Sequence, residues 1–275
     1  MKVACVQWNV EFREPDRNAD RICGFLPHLA SKGVQLAIFP EAFLTGYCVR
    51  SRDEASSIAI PKSHSSLLAI QRASDATGVL VIVGFAEADG VRLFNTAALF
   101  EPGDPPRYFR KAHLPELGLD KHVEAGDDLA VFDTALGKIA VLICFDLRHP
   151  EAMRAVALKE AELVALPTNW PIGADVSADH TVITRAAENR VFVAACNRVG
   201  SENGFGFIGK SKIVAPSGQV LASAGDSEEV VEAEIDLSEA RNKRHTIIPG
   251  EYEMTVFESR RPELYGVITD KPSHP

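Results

Sequence analysis

Apolar positions recur with two different periods along this chain, and the change of period predicts strands and helices in alternation. Residues 2–7 form a short apolar run that is typical of a strand. Apolar residues at helical spacing follow between positions 22 and 29, and Gly33 ends this predicted helix. A second apolar run at 36–40 completes a β-α-β unit, whose strands are as apolar as those of a sheet that is covered on both faces.

The middle of the chain continues this alternation. A helix is predicted over residues 64–77. The two strands that follow, 79–87 and 91–101, are expected to pair through a turn at Asp89 and Gly90. Four further strands and two further helices are predicted before residue 200: strands in "RYFRKAHLP", "KIAVLIC", "ELVALP" and "VFVAACN", and helices beginning near Pro150 and covering 177–189.

The last third of the chain is rich in short strand-like runs separated by glycine turns, and the tail from residue 245 has no strong period. Two strand-rich halves with helices between them predict an α/β fold of stacked sheets with helices outside, while the order of the strands stays open. We predict one domain over residues 1–245 and a C-terminal extension over 246–275, which packs on the domain or on a dimer partner.

Composition excludes several classes of protein. The 275 residues are 46% hydrophobic and 24% charged, which is ordinary for a globular chain. The net charge of −9 is spread without a basic stripe, so no nucleic-acid partner is predicted. No apolar run approaches the roughly 18 residues of a membrane span, and the run at the N-terminus is too short for a signal peptide. We therefore expect no membrane partner and a cytoplasmic location.

Cysteine and histidine spacing argues against disulfide and metal chemistry. The five cysteines are scattered and contain no C-x-x-C pair, and the eight histidines show no H-x-H or H-E-x-x-H grouping. The sequence therefore predicts no disulfide framework and no metal site.

Three predicted strands end in a reactive side chain. Glu41 follows "LAIFP", Lys111 follows "RYFR" and Cys144 follows "AVLI". Because open α/β sheets deliver functional groups at the carboxyl ends of their strands, these three side chains are candidates for one site. Each also has an ordinary alternative when taken alone: a loop or capping carboxylate, a surface charge and an inert buried thiol.

The three groups together suit attack on an amide. A thiol with a pKa near ~8.5 is mostly protonated at neutral pH, so a carboxylate such as Glu41 would take its proton during attack. The ammonium of Lys111 would stabilise an oxyanion, and the backbone N–H of Phe145 would complete the oxyanion hole if Cys144 occupies a strand-to-helix elbow. An acyl-thioester would form with release of ammonia or an amine, and water would then release the acid.

The segments around these residues resemble a known family. "FPEAFLTGY", "FRKAHLP" and "LICFDLRHPEAMR" are similar to the three motif blocks of the nitrilase superfamily of carbon–nitrogen hydrolases. The likeness continues through "PTNWP", "RAAENRVFVAACNRVG" and "GKSKIVAPSGQVLASAG", and it covers about residues 2 to 236.

This resemblance implies a four-layer α-β-β-α sandwich, and it makes residues 1–245 a carbon–nitrogen hydrolase domain. It implies that Glu41 is the general base, Lys111 the oxyanion-stabilising cation and Cys144 the nucleophile. It also implies a small-molecule amide substrate, no metal or organic cofactor, and a homodimer or higher homo-oligomer.

The residues after the cysteine favour one branch of the family. Nitrilases typically have Trp-Glu there, whereas Phe145 and Asp146 are closer to the "CYDLRFPE" pattern of amidases. Amide hydrolysis is therefore preferred, with N-carbamoyl amide hydrolysis or nitrile hydrolysis as alternatives and an inactive binding protein as a further one. Asp146, Arg148 and Glu151 are candidates to bind substrate, although an ion pair between Arg148 and Glu151 is the preferred interpretation of those two.

Many relatives carry a second glutamate between the lysine and the cysteine, and the corresponding stretch is shorter here. Glu116, Asp120 and Glu124 are the candidates for this additional carboxylate, and Asp120 is our choice.

Aromatic and amide side chains next to the reactive residues could form the substrate pocket. The predicted substrate-binding residues are Tyr47, Phe145, Asn169 and Trp170. Ordinary core packing is the alternative for these side chains, above all for Trp170.

Overall fold

The computed structural model describes residues 1–270 and contains two six-stranded sheets. In the first sheet three central strands are parallel, and every other pair of neighbouring strands is antiparallel. Its strands, in spatial order, are β14 (Glu229–Glu234), β1 (Lys2–Gln7), β2 (Leu36–Ile38), β3 (Leu80–Asp89), β4 (Arg92–Phe100) and β5 (Arg107–Arg110).

The second sheet repeats this plan, with three parallel strands at its centre and antiparallel neighbours. Its strands, in spatial order, are β13 (Val220–Ser223), β12 (Lys212–Val214), β9 (Phe192–Cys196), β8 (Leu163–Pro167), β7 (Gly137–Val141) and β6 (Val131–Thr134). Two short strands, β10 (Ser201–Glu202) and β11 (Phe205–Gly206), form a separate hairpin.

Helices cover the outer face of each sheet. The described helices are α1 (Pro15–Ser31), α2 (Arg52–Ile58), α3 (Ser65–Thr77), α4 (Pro150–Leu158), α5 (Val182–Asn189), α6 (Ser238–Arg241) and α7 (Gly266–Thr269). Strand β1 illustrates the layers, because successive side chains of a strand point to opposite faces of the sheet. Val3 and Cys5 join the core between the sheets, whereas Ala4 and Val6 pack with the apolar faces of α1 and α3. The predicted α-β-β-α sandwich is confirmed.

The predicted β3–β4 hairpin is present, but its turn lies one residue later than predicted, at Gly90 and Val91, because Asp89 still pairs with Arg92. The predicted strand "KIAVLIC" is shorter in the structure, because β7 ends at Val141 and Cys144 begins a 3₁₀ turn. The predicted helix 177–189 also begins differently, with one π-helical turn over Ser177–Thr181 before α5.

The tail contains more regular structure than its sequence pattern indicates. A second small hairpin joins β15 (His245–Ile248) to β16 (Tyr252–Met254), and α7 follows. A groove of about 520 Å³ lies between α4 and this C-terminal segment. Whether residues 246–275 pack on a dimer partner stays a prediction, and residues 271–275 lie outside the described part of the chain.

No helix within residues 1–270 has both the length and the apolar character that crossing a bilayer requires.

Candidate active site

Glu41 lies a short way past β2, after Phe39 and Pro40, at a point where two backbones come unusually close. Its backbone N–H donates to the carbonyl of Thr168, just past β8, at 3.4 Å. A Cβ on Gly84 of β3 would lie 2.3 Å from the backbone nitrogen of Ala42 and 2.8 Å from the Cα of Glu41. Only glycine fits at position 84, because any side chain there would displace the backbone of the segment that carries Glu41.

Lys111 follows β5 and is held by backbone hydrogen bonds on both sides. Its N–H donates to the carbonyl of Asn95 in β4 at 2.8 Å, and its carbonyl accepts from Gly126 at 2.8 Å. The whole side chain is buried. A buried ammonium requires counter-charges, and two carboxylates supply them.

Cys144 occupies a tight elbow between β7 and α4. It begins the 3₁₀ turn Cys144–Arg148 with a φ of 45°, in the left-handed region that costs a non-glycine residue about 1–2 kcal/mol. Asp146 stabilises the elbow: its carboxylate accepts from the backbone N–H of Ile143 at 2.9 Å and from that of His113 at 2.9 Å. The turn therefore directs the Cys144 side chain away from the strand direction and holds it there.

Asp146 is thus a structural residue of the elbow rather than a free substrate ligand, because Nδ1 of His113 also lies 2.7 Å from it. The predicted ion pair between Arg148 and Glu151 is wrong, because no such pair occurs within residues 1–270. Arg148 donates instead to the hydroxyl of Ser177 at 3.2 Å.

A buried polar network connects the candidate residues. Nζ of Lys111 donates to Oε1 of Glu41 at 2.7 Å and to Oδ2 of Asp120 at 2.6 Å. Nδ2 of Asn95 lies 2.8 Å from Oε1 of Glu41 and 2.8 Å from Oδ1 of Asp120. The hydroxyl of Tyr47 donates to Asp120 at 2.7 Å. Two carboxylates and one ammonium therefore share one water-poor site, together with two neutral donors.

Of the three candidate carboxylates, only Asp120 lies in this network. A 3₁₀ helix over Gly118–His122 brings it there. Glu116 is exposed and lies 3.9 Å from Lys121, whereas Glu124 pairs on the surface with Arg92 at 2.8 Å.

Electrostatics favour a neutral thiol in the resting site. Burial raises the pKa of Cys144 well above its ordinary value, the charge of Glu41 raises it further, and Lys111 opposes the shift. Burial also raises the pKa of Glu41, an effect that Lys111 partly offsets. For Lys111, burial alone would lower the pKa, but Asp120 and Glu41 hold it above the usual range. The lysine is thus charged, and the thiol must lose its proton as it reacts.

Three residues of the candidate site carry buried polar atoms that have no hydrogen-bond partner within the described residues. These atoms are Oε2 of Glu41, Oδ1 of Asn95, and both the oxygen and the nitrogen of the Asn169 carboxamide. The backbone N–H of Asn169 also acts on Cys144, where it lowers the pKa of the thiol. Buried polar atoms are normally satisfied, so these groups are available to a substrate.

The other predicted pocket residues differ in their placement. Tyr47 is buried, and its hydroxyl is already engaged by Asp120 and by the carbonyl of Leu117 at 3.1 Å. Phe145 is half-buried and packs edge-on against His149, with ring centroids 5.1 Å apart. Trp170 is 3% exposed and belongs to the core that includes both sheets, which favours the packing alternative for this residue.

Asn95 and Glu202 are the site residues that the sequence reasoning missed. Asn95 is a polar residue in the otherwise apolar stretch "LFNTAALF", and this interruption was the available signal. Glu202 in β10 accepts from the backbone N–H groups of Tyr47 at 2.7 Å and Cys48 at 2.6 Å, and it pairs with the buried Arg198 at 2.8 Å. Glu202 thus anchors the loop that carries Tyr47, although the two residues are 155 positions apart in the sequence. No local pattern indicates this contact.

Comparisons with known proteins show the family and the fold of this chain. The carbon–nitrogen hydrolase family model matches residues 2–245. A nitrilase from Pyrococcus abyssi is 38% identical over 270 residues, covering 96% of this chain and 99% of the relative. The 2-oxoglutaramate amidase of Bacillus subtilis is 32% identical over 267 residues, covering 96% and 98% of the two chains. An amidase from Nesterenkonia sp. has the same fold, with a TM-score of 0.80 and 22% identity over 98% of this chain and 96% of that one.

Proposed function

The chain belongs to the carbon–nitrogen hydrolase family, and we propose that it is a cysteine-dependent amidase acting on linear amides of small molecules. The observation that carries this proposal is the buried network in which Lys111 contacts Glu41 at 2.7 Å and Asp120 at 2.6 Å. All three groups interact electrostatically with the thiol of Cys144 on its elbow. A protonated thiol, a carboxylate and a fixed cation are the parts that acyl transfer through a cysteine requires.

In the first half-reaction the sulfur of Cys144 attacks the amide carbonyl while Glu41 takes the thiol proton. Lys111 and the backbone N–H of Phe145 stabilise the oxyanion of the tetrahedral intermediate. The carbon–nitrogen bond then breaks, and Glu41 delivers its proton to the leaving nitrogen, which departs as ammonia or an amine. An acyl-thioester on Cys144 remains.

In the second half-reaction water attacks the thioester, and Glu41 takes a proton from that water as the new carbon–oxygen bond forms. The carbon–sulfur bond breaks, the proton returns to the sulfur, and the carboxylic acid leaves. The raised pKa of Glu41 suits this shuttle, because a base whose pKa lies closer to neutrality also returns its proton readily.

We assign Asp120 a supporting role as the additional carboxylate. It contacts Lys111 and is itself held by Tyr47 and Asn95, so it fixes the ammonium without occupying Oε2 of Glu41. The unpartnered carboxamide of Asn169 is the group that we expect to bind the substrate beside Phe145.

Nitrile hydrolysis is the second candidate, because the 38% identical relative is named a nitrilase. The 32% identical relative is named for an amide, 2-oxoglutaramate, and Phe145-Asp146 also favours amides. Substrate and product together distinguish these reactions: acid formed from a nitrile marks a nitrilase, acid formed only from amides marks an amidase, and carbon dioxide release marks N-carbamoyl cleavage.

The decisive test is ammonia release from a panel of small linear amides that includes 2-oxoglutaramate, with matched nitriles and N-carbamoyl amines. We expect turnover of amides by the wild type and by Cys23→Ala, a control that removes a half-buried thiol of α1. Cys144→Ala and Lys111→Ala should be inactive, and intact-protein mass spectrometry should find an acyl adduct on Cys144. Activity that survives Cys144→Ala contradicts the mechanism. No turnover at all, with a Cys144 that resists iodoacetamide, would favour the binding-protein alternative.

We further propose that the enzyme works in the cytoplasm as a homodimer or higher homo-oligomer. Exposed apolar side chains on the C-terminal segment support a protein–protein surface there, among them Ile247, Tyr252 and Val267. Light scattering coupled to size-exclusion chromatography measures the assembly directly, and a monomer at micromolar concentration would contradict it.

A further inference from the structure

We propose that Asn95 is a positioning residue whose single carboxamide nitrogen holds Glu41 and Asp120 together, so that Glu41 stays ionised beside Cys144. This inference rests on the proposed function, in which Glu41 is the base.

The geometry of Asn95 is that of a clamp between two carboxylates. Its Nδ2 lies 2.8 Å from Oε1 of Glu41 and 2.8 Å from Oδ1 of Asp120, so both N–H groups of the amide are used. Its backbone carbonyl accepts from the N–H of Lys111 at 2.8 Å. The residue is fully buried in β4 and has no contact with solvent. The side chain of this one residue thus contacts two charged groups of the network, and its backbone carbonyl holds the backbone of the third, Lys111.

The charge balance explains why such a clamp is needed. The titratable groups that face Glu41 come from four separate segments, which contribute Tyr47 and Cys48, Lys111, Asp120, and Cys144. Among them only Lys111 is cationic, so two buried carboxylates share one positive charge. Like charges at close range disfavour each other's ionised form, whereas a hydrogen-bond donor favours it.

Asn95 opposes the effect of burial on Glu41. Burial raises the pKa of Glu41, and the charge of Asp120 raises it further. Lys111 and the hydrogen bond from Asn95 lower it. Loss of the amide should therefore raise the pKa of Glu41 and reduce the fraction of base that is ionised at a given pH.

The neighbouring residue in β4 provides a matched control. Thr96 is also fully buried, and its hydroxyl also donates to a buried carboxylate, that of Glu87, at 2.6 Å. Glu87 pairs with Arg110 rather than with Lys111, so this contact lies outside the network of Glu41. Thr96→Val removes a buried hydrogen bond to a carboxylate without touching the candidate site.

The test is the pH profile of Cys144 alkylation by iodoacetamide, measured by mass spectrometry of the Cys144 peptide in the wild type, Asn95→Leu, Asn95→Ala and Thr96→Val. The same proteins are assayed for kcat/KM against pH on the best amide substrate. Leucine conserves the volume of asparagine, and alanine provides a second variant if leucine disturbs folding. The alkylation profile needs no substrate, so it remains informative if the amide panel fails.

We expect the acid limb of alkylation to move to higher pH by about one unit in both Asn95 variants, which is a roughly tenfold lower rate at a given acidic pH. Thr96→Val should keep the wild-type midpoint. Asn95 profiles that superimpose on the wild type would overturn the proposal, and so would an equal shift in Thr96→Val. If the alkylation profile shifts but the protein hydrolyses no amide, the role of Asn95 as a clamp is supported, and only the proposed function is contradicted.

Discussion

Gly84→Ala should lower the activity by displacing Glu41, although Gly84 itself contributes no group to the polar network. Alanine there would place its Cβ 2.3 Å from the backbone nitrogen of Ala42 and 2.8 Å from the Cα of Glu41, whereas ordinary contact begins near 3.4 Å. Relief requires a movement of about 1 Å, the difference between these distances, in the segment that carries Glu41. Overpacking of this kind costs about 1–3 kcal/mol, and a 1 Å misplacement of a catalytic group can cost about 100-fold in rate.

The assay compares kcat/KM and Tm of Gly84→Ala with those of Gly24→Ala. Gly24 lies within α1, and a Cβ there would meet no atom within 4 Å beyond the adjoining helix backbone. Alanine at this position should therefore stabilise the helix by about 0.4–1 kcal/mol and leave the activity unchanged. We expect Gly84→Ala to lower kcat/KM by about 100-fold and to lower Tm by about 2–4 °C for each kcal/mol lost. Wild-type activity and Tm in Gly84→Ala would refute the view that this close approach positions Glu41.

Three further predictions concern the surroundings of Glu41. Tyr47→Phe removes a hydrogen bond to Asp120, so steady-state kinetics should show kcat lowered by about tenfold, the equivalent of about 1.4 kcal/mol. Glu202→Gln leaves the buried Arg198 without its counter-ion, and urea unfolding should show a loss of about 3–5 kcal/mol. Because burial raises the pKa of Glu41 above 4.5, kcat/KM should fall as the pH is lowered through a midpoint above 4.5; a midpoint at or below that value contradicts the assignment of the base.

Strand ends were predictable because they depend on local pattern. An apolar run followed by a charged or reactive residue makes Glu41, Lys111 and Cys144 candidates for one site, and the two-residue turn after Asp89 indicates a hairpin. Helix α2 was missed although a local signal existed. Ser51 and Glu54 have the spacing of a capping box, and Ser51 does accept from the backbone N–H of Glu54 at 3.1 Å.

The rest of the site depends on contacts between distant segments. Asp120 could not be separated from Glu116 and Glu124 by sequence, because the 3₁₀ helix at 118–122 alone decides which carboxylate points inward. A Cβ on Gly118 would lie 2.6 Å from the ring of Tyr47, so that approach also requires a glycine. Such constraints join residues that are some 70 positions apart, and periodicity carries no information about them.

The unequal charge balance of the site leads to a prediction about stability. The pKa of Glu41 is raised in the folded state, so folding binds a proton more tightly there, and stability is lost as the pH rises from 4.5 through the raised value. Glu41→Gln removes this effect, because Oε1 of glutamine still accepts from Lys111 and Asn95, and Lys111 keeps one carboxylate, Asp120. The variant should be inactive and should have a higher Tm than the wild type at pH 7.5, with a smaller difference at pH 4.5.

Glu87→Gln is the matched control for this prediction, since Glu87 is also buried but its pKa is shifted in the opposite direction. Burial would raise the pKa of Glu87, but hydrogen bonds from Arg110 and Thr96 outweigh it and lower the pKa below the ordinary value. Its charge therefore stabilises the fold at neutral pH, and Glu87→Gln should lower Tm at pH 7.5. Differential scanning calorimetry at the two pH values measures both variants. If both glutamine variants have a lower Tm than the wild type at pH 7.5, the conclusion that the buried charge of Glu41 destabilises the fold is wrong.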